Sequence, residues 1–421
     1  MRVMIVGGGI GGLVTALSLQ HAGIEATVYE AVPELRPLGV GINLLPHAVR
    51  ELTELGLADR LEAVAIRTRE LIYTNKFGQV IWREDRGLDA GYHWPQYSIH
   101  RGTLQMLLYD AALVRLGRAR IRTDRRLVDF AEADGRVRAR FAGHDGTEDA
   151  EADILIAADG IHSAVRGRFY PDEGPPKWNG AVLWRAMTEA EPYLTGRSMI
   201  MAGHQNQKFV CYPISREAAD RGRSLVNWIA ELRFDPSSEW RREDWNRPGR
   251  IEEFRPAFES WDFGWLDVPA LIRGTRAVYE FPMVDRDPVE RWSFGRVTLL
   301  GDAAHPMYPI GSNGASQAIL DARLLANLLA TRGDPVGALE EYDSVRRPAT
   351  AAIVHANRAN GPERVMQMVE ERAPQGFSRL DDVVSRDELE AAAREYKLVA
   401  GFDKDALNTR PSLTVARAER V

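Results

Sequence analysis

Residues 2–31, RVMIVGGGIGGLVTALSLQHAGIEATVYEA, constrain the fold more than any other stretch of the chain. RVMIV has the composition of a short buried strand. GGGIGG is a turn that needs glycine. LVTALSLQHAG carries Leu13, Ala16, Leu17 and Leu19 on one side and closes at Gly23, which predicts a helix. EATVYE reads as a second strand ending in Glu30. The spacing is Gly7-x-Gly9-x-x-Gly12, with an acid eighteen residues after the last glycine. In a strand–turn–helix setting, Gly7 permits the tight turn, Gly9 lets the backbone approach a pyrophosphate, and Gly12 allows close helix–strand packing. The helix N-terminus then offers free N–H groups and the positive end of its dipole to phosphate. Glu30 is placed to accept the ribose hydroxyls of an adenosine and to disfavour a 2′-phosphate. The motif predicts a dinucleotide without deciding between NAD and FAD.

Composition excludes several classes. A net charge of −6 over 421 residues gives no basic footprint for nucleic acid or an anionic membrane surface. The only cysteine, Cys211, rules out an internal disulfide and a multi-cysteine metal site. Its setting in FVCYP predicts a buried structural thiol. No stretch of about 18 apolar residues is present, and the N-terminal apolar run passes into a glycine turn without a cleavage pattern. A cytosolic enzyme with no membrane span is the expectation.

Two further segments repeat the first one's logic. In ADILIAADGIHSAVRGRF (152–169) an apolar strand delivers Asp159-Gly160 to a short turn before a helical start with Arg166. In RVTLLGDAAHPMYPIGSNGASQAILDA (296–322) a strand delivers Gly301-Asp302, then a loop, then a helix beginning near Gly314. Ligands of open α/β sheets bind at the C-terminal ends of strands, so the three tips are predicted to converge on one elongated molecule.

The trio of GxGxxG, ADGIHSAVR and GDAAHPMYPIGSNGAS resembles the single-component FAD-dependent aromatic hydroxylases typified by p-hydroxybenzoate hydroxylase and salicylate hydroxylase. RPLGVGINLLP, PQYSIHRGTLQMLL, YPIS, SLVNW, DWNR, WDFGW and FPMVDRDP tighten the likeness toward the methylphenazine-carboxylate monooxygenase subgroup over roughly the first 350 residues. The resemblance implies FAD as cofactor and NADH or NADPH as transient co-substrate, with no second nucleotide-binding domain and no metal. It implies that Asp302 bonds the ribityl chain and that the Gly311-to-Ala315 loop, with Gly314, lines the flavin pyrimidine edge. Pro309 would stand beside the reactive edge of the flavin, and Asp159, Gly301, Arg101 and, more loosely, Arg36 near the cofactor. His305 is expected to be a hydrogen-bonding structural residue and His162 part of the Asp159 turn. The loop with Gly39 and Gly41 is expected to hinge beside the flavin.

Between 181 and 285 the pattern changes to GAVLWRAMTE, KFVCYPIS, SLVNWIAELR and RAVYEFPMV, which read as antiparallel strands. With ELIYTN and VIWRED they predict a second sheet that the family places over the flavin. Tyr212 is the candidate catalytic residue there, and Trp184, Asn227 and Trp228 are candidate pocket residues, with sheet-face core the favoured reading for any single aromatic among them. Alternation alone does not fix which set faces inward. EWRREDWNRPG and ESWDFGW are expected to pack as helices and loops beside this sheet. After Arg346-Arg347-Pro348, residues 349–373 and 385–401 predict two amphipathic helices, the second capped by Ser385 with Glu388 completing a capping box.

The expected fold is therefore mixed α/β. A discontinuous Rossmann-like FAD-binding domain (1–70, 98–180, 286–347) carries an inserted antiparallel substrate sheet (71–97, 181–285) and C-terminal helices and tail (348–421). The resemblance implies a monooxygenase that reduces FAD, adds O2 at the flavin C4a position and hydroxylates an electron-rich aromatic or heteroaromatic molecule. Baeyer–Villiger oxygenation, a flavin reductase or dehydrogenase, and a non-catalytic redox sensor remain open readings at this stage. Either a monomer or a homodimer is compatible with the sequence.

Overall fold

The computed structural model describes residues 1–235 and 247–415. Most of EWRREDWNRPG, including nearly all of the DWNR run, and the last six residues of the tail lie outside the described residues. In chain order, β1 (Arg2–Val6), α1 (Ile10–His21), β2 (Glu25–Tyr29) and β3 (Ile154–Ala157) begin the nucleotide-binding unit. The second sheet follows as β4 (Lys177–Ala190), β5 (Ser198–His204), β6 (Gln207–Pro213), β7 (Ser224–Arg233) and β8 (Val278–Asp285). The chain then returns through β9 (Val297–Leu299) to the helices α2 (Gly314–Thr331), α3 (Pro335–Arg358) and α4 (Arg386–Val399).

β1 lies between β2 and β3, all parallel, and β9 adds parallel to β3. Their residues are almost wholly buried because α1 and α2 pack against them, which is why these strands read as continuous apolar runs. A three-stranded meander (Arg126–Ala133, Arg136–Gly143, Gly146–Ala152) adjoins this unit and stacks Phe141 on Tyr29 at 4.1 Å. Sequence reading passed over it, although Asp134-Gly135 and Asp145-Gly146 mark its two turns.

The second sheet has seven strands in the order β8-β4-β7-β6-β5, then Glu70–Thr74 and Val80–Asp85. It is antiparallel except where β5 runs parallel to Glu70–Thr74. One face packs on Phe254, Phe258 and Trp261, and the other on Tyr308, Ile310 and the C-terminal helices.

α3 continues through the 347/348 boundary with Pro348 inside it. The helix expected over 349–373 is two helices. They break at Asn360 and Gly361, both in the left-handed region at φ +68° and +46°, and Arg364–Arg372 follows. Ser385 caps α4 and the capping box with Glu388 is formed. Among the described residues no helix is long and apolar enough to cross a membrane.

Candidate active site

The glycine turn after β1 is built as the spacing requires. Gly7 sits at φ +107°, and a Cβ there would lie 2.3 Å from the Ala158 carbonyl oxygen. A Cβ on Gly12 would lie 2.0 Å from the Gly7 oxygen, while one on Gly9 would meet nothing within 4 Å. Gly7 and Gly12 are thus fixed by packing, and Gly9 faces open space at the N-terminus of α1. No side chain caps that terminus and no acid stands in its first turn. Its N–H groups are left for an anion. Glu30 is drawn back onto the turn, where it accepts from Gly8 N at 2.6 Å and Val32 N at 2.8 Å.

The tips of β3 and β9 stand beside this turn. Asp159 accepts from Ala164 N at 2.9 Å through one oxygen, while its other oxygen is buried without a partner. Burial raises its pKa against the local hydrogen bonds. Gly301 (φ +61°) begins the turn that carries Asp302. A buried network anchors this turn: Asp321 on α2 accepts from Gly301 N at 3.2 Å and Arg346 Nε at 2.6 Å, and lies 2.6 Å from His305 Nε2. Burial alone would raise the Asp321 carboxyl, but His305 and Arg346 hold it below the usual range. His305 is therefore a buried support of the Asp302 turn. Arg166, also buried, donates to the carbonyls of Ala303 (3.1 Å) and Ala304 (2.7 Å), which ties the Asp159 helix to the same turn.

Asp302 and Arg101 both open onto one cavity. Both side chains are exposed to the open cavity, yet the protein packed around them raises the Asp302 pKa against the pull of His305 and Arg101 and lowers that of Arg101 against Asp302. Among the described residues Arg101 makes no ion pair within 4 Å. Arg36 is not brought to this cavity. It lies on the exposed loop after β2, with its guanidinium 2.6 Å from the Glu34 carboxylate.

The loop after Asp302 is held from behind. Gly311 stands at φ +68° directly under the ring of Tyr396 on α4. The Tyr396 hydroxyl accepts from Asn313 Nδ2 and donates to Asn357 Oδ1, each at 2.8 Å. Pro309, Gly314 and Ala315 face the cavity, and Ser312 and Asn313 line it too.

The second sheet supplies the opposite wall, and its register settles the side-chain directions. Met201, Val210, Ile229 and Arg185 are cross-strand neighbours; so are Tyr212 and Asn227, and Lys208, Glu231 and Leu183. Of these, all but Asn227 line the cavity. Trp184 and Trp228 have the opposite parity. They pack into the aromatic core on the far side, Trp184 stacking on Phe254 at 4.9 Å. Of the two readings open for these aromatics, sheet-face core holds for Trp184 and Trp228, because the pleat turns them away from the pocket. Cys211 shares that far face, fully buried, its thiol pushed up to about 12 by burial.

Gly41 joins the two units. Its N–H donates to Asn227 Oδ1 (2.7 Å), and its carbonyl accepts from Arg185 Nη2 (2.9 Å) and the Tyr212 hydroxyl (3.0 Å). A Cβ on Gly41 would lie 2.7 Å from Asn227, so this glycine is pinned at a contact. Arg185 has a buried, unpartnered Nε and no carboxylate partner among the described residues. Burial lowers its pKa and raises that of Tyr212 to about 12.

The cavity between the two units has a volume of about 290 Å³. It brings together Gly9, Arg101, Asp302, Pro309, Gly314, Ala315 and Tyr212. Gly7, Gly12, Glu30, Asp159, Gly301 and Gly311 are not among the residues that line it. Sequence reading missed Arg185, Lys208, Glu231 and Glu363, which place four charged side chains along an otherwise apolar wall.

Comparison with known proteins agrees with this architecture. A family described as FAD binding domain matches residues 1–357. The chain is 48% identical over 361 residues to the phenazine 1,6-dicarboxylic acid hydroxylase PhzS of Lysobacter antibioticus, covering 85% of this chain and 89% of that one. It is 37% identical to the 3-amino-4-hydroxybenzoate 2-monooxygenase PtnB3 of Streptomyces platensis, over 90% and 94% of the two chains. The fold is shared with Klebsiella pneumoniae HpxO, solved with FAD and uric acid, at a TM-score of 0.72 and 23% identity over 97% and 96% of the two chains.

Proposed function

The chain belongs to the FAD-binding-domain family of flavin-dependent aromatic hydroxylases, and from that premise we propose that it hydroxylates a fused heteroaromatic carboxylic acid whose carboxylate is held by Arg185. It is an FAD-dependent monooxygenase with NADH or NADPH as electron donor. O2 is the proposed oxygen source.

The residues fit the cofactor. An uncapped helix N-terminus, a glycine whose Cβ direction is open, an unpaired arginine and a cavity-facing carboxylate form a donor and acceptor set suited to pyrophosphate and ribityl groups. In this reading the N–H groups of α1 and Arg101 hold the phosphates, and Asp302 accepts from ribityl hydroxyls. The backbone of Gly311 to Ala315 lies along the flavin ring. Pro309, which has no N–H, presents an apolar surface at the ring's reactive edge. The chemistry FAD supplies when bound is hydride acceptance from the nicotinamide and delivery of one oxygen atom of O2 to the aromatic ring. The protein must hold that ring in one orientation and keep water away. Met201, Val210 and Ile229 give an apolar floor for the second task.

The observation that carries the substrate assignment is Arg185. Arg185 is half-buried with its Nε buried and unpartnered. A guanidinium so placed without a carboxylate is costly, and it is compensated when an anion binds beside it. Its fork matches a carboxylate, with the Tyr212 hydroxyl next to it on the same carbonyl. The names of both relatives state aromatic acids as their substrates, and the first of them names a fused-ring phenazine acid. The test is anaerobic bleaching of bound flavin by NADH and NADPH with added phenazine-1-carboxylic acid, unsubstituted phenazine or benzoates. The carboxylated phenazine should accelerate bleaching many-fold. Arg185→Met should abolish that acceleration with flavin content unchanged. Equal acceleration by unsubstituted phenazine would refute the role of Arg185.

A further inference from the structure

The cavity has a second charged end. Lys208 on β6 lies directly across from Glu231 on β7, with its Nζ 2.8 Å from one oxygen of that carboxylate and 2.5 Å from Glu363. All three side chains are nearly buried and all three line the cavity. Two carboxylates share one ammonium, so the group carries an excess of negative charge when ionised. Arg233, two residues further along β7, exerts only the weakest of the fields on Glu231 and donates to the backbone of Asn179 and Gln205.

Its position along the wall is fixed by register. Tyr212 and Lys208 are four residues apart on one strand, about 13 Å at a strand rise of 3.3 Å per residue. Arg185 leans toward the Tyr212 end, where Gly41 holds it. Between the two ends lie Met201, Val210 and Ile229. By register Arg185 stands in that middle row, across from Ile229 and two residues along its strand from the partner of Glu231. Its guanidinium reaches to the Gly41 end, so the wall is cationic toward that end, apolar around Met201, Val210 and Ile229, and acid-rich at the other end. Glu363 comes from the short turn between α3 and Arg364–Arg372, beyond the 1–357 stretch matched by the family.

We propose that the Lys208–Glu231–Glu363 cluster is a specificity pole that accepts hydrogen bonds from the ring edge remote from the substrate carboxylate, favouring a hydroxyl, amino or ring N–H there and rejecting a second carboxylate. The inference rests on the reading of this cavity as the site of an aromatic acid. A cluster serving only to tie the Glu363 turn to the sheet would not change which ligand binds. Ligand discrimination therefore separates the pole from a structural ion pair.

The experiment is calorimetric titration of the oxidised holoenzyme with three probes: phenazine-1-carboxylic acid, 6-hydroxyphenazine-1-carboxylic acid and phenazine-1,6-dicarboxylic acid. The hydroxy acid should bind at least tenfold more tightly than the diacid. Glu363→Gln, which keeps the shape and removes one charge, should shrink that ratio to threefold or less. Glu231→Gln is the second variant and should act in the same direction. If the wild type binds the diacid as well as the hydroxy acid, or if neither variant moves the ratio, the inference is overturned alone. If the wild type binds none of the three, the aromatic-acid reading falls and takes the inference with it.

Discussion

Replacing Gly311 by alanine tests how the cofactor loop is held. The new methyl would lie 2.0 Å from Tyr396 Oη, 2.3 Å from Cζ and 2.5 Å from Cε1. Ordinary carbon contact begins near 3.5 Å, so the ring must retreat by roughly 1 to 1.5 Å. That movement breaks the 2.8 Å bonds to Asn313 and Asn357, each contributing about 1 kcal/mol net. The left-handed backbone at φ +68° costs an alanine a further 1–2 kcal/mol or so. Together these give about 3–4 kcal/mol, before any penalty for buried amide groups left unpaired. A melting temperature lowered by roughly 4 °C is expected, at about 1 °C per kcal/mol for a chain of 421 residues, along with weaker FAD retention. Circular dichroism follows the first and release of flavin fluorescence the second. A cycle with Tyr396→Ala sharpens the test, since the methyl then meets no ring. The double variant should cost at least about 2 kcal/mol less than the two single changes summed. A Gly311→Ala protein that melts within about 2 °C of wild type, or a cycle that is simply additive, would show that Tyr396 does not clamp this loop.

Two further outcomes are expected. Burial, reinforced by Arg410 and Arg346, lowers the pKa of His47 to about 3, well under the value of about 6.5 for an unfolded chain. Its contribution is therefore complete above pH 6.5 and is lost as pH falls toward 3, because only the unfolded chain takes up the proton in that window. At pH 5 this amounts to about 2 kcal/mol, so His47→Gln should flatten the fall in melting temperature between pH 7 and 5, and an unchanged slope would refute the assignment. Asp302→Ala removes the carboxylate that faces Arg101 across the cavity and should weaken FAD binding about tenfold, one charged hydrogen bond's worth. Full flavin occupancy after dialysis, with fully coupled turnover, would remove Asp302 from the cofactor site.

The parts of this fold that were legible in the sequence are those where one physical demand acts alone. β7 spans the run SLVNWIAELR and Val80–Asp85 spans VIWRED, because alternating apolar and β-branched residues have no competing helical period there. Gly7 and Gly12 were legible because a Cβ at either would collide with backbone. The inward face of the second sheet was not legible from hydrophobicity, since both faces are buried and Trp184 looks as suited to a pocket as Tyr212. A usable signal was present all the same. Arg185, Lys208, Glu231 and Tyr212 share one face, and charged side chains in apolar strands need a polar cavity or a partner. The break of the predicted 349–373 helix at Asn360-Gly361-Pro362 was readable too, because Asn and Gly tolerate the left-handed region and Pro opens the next turn.

The C-terminal segment connects these features in a way that neither sheet does alone. Its turn at Pro362-Glu363 supplies a carboxylate to the Lys208 end of the cavity wall, and α4 places Tyr396 against the 309–315 loop on the other side of that cavity. Glu363 and Tyr396 are also close enough for the carboxylate's field to reach the phenol. Gly361 lies between them, where a Cβ would sit 3.0 Å from the Tyr396 ring and 3.1 Å from Ile310. The substrate wall and the cofactor loop are therefore braced by one packed unit, in which Gly361, Tyr396 and Ile310 touch. A ligand that pulls on Glu363 acts on the same turn that packs against Tyr396. Substitutions after residue 358 should change substrate preference and flavin retention together, whereas substitutions on the Trp184 and Trp228 face should change stability and leave preference alone.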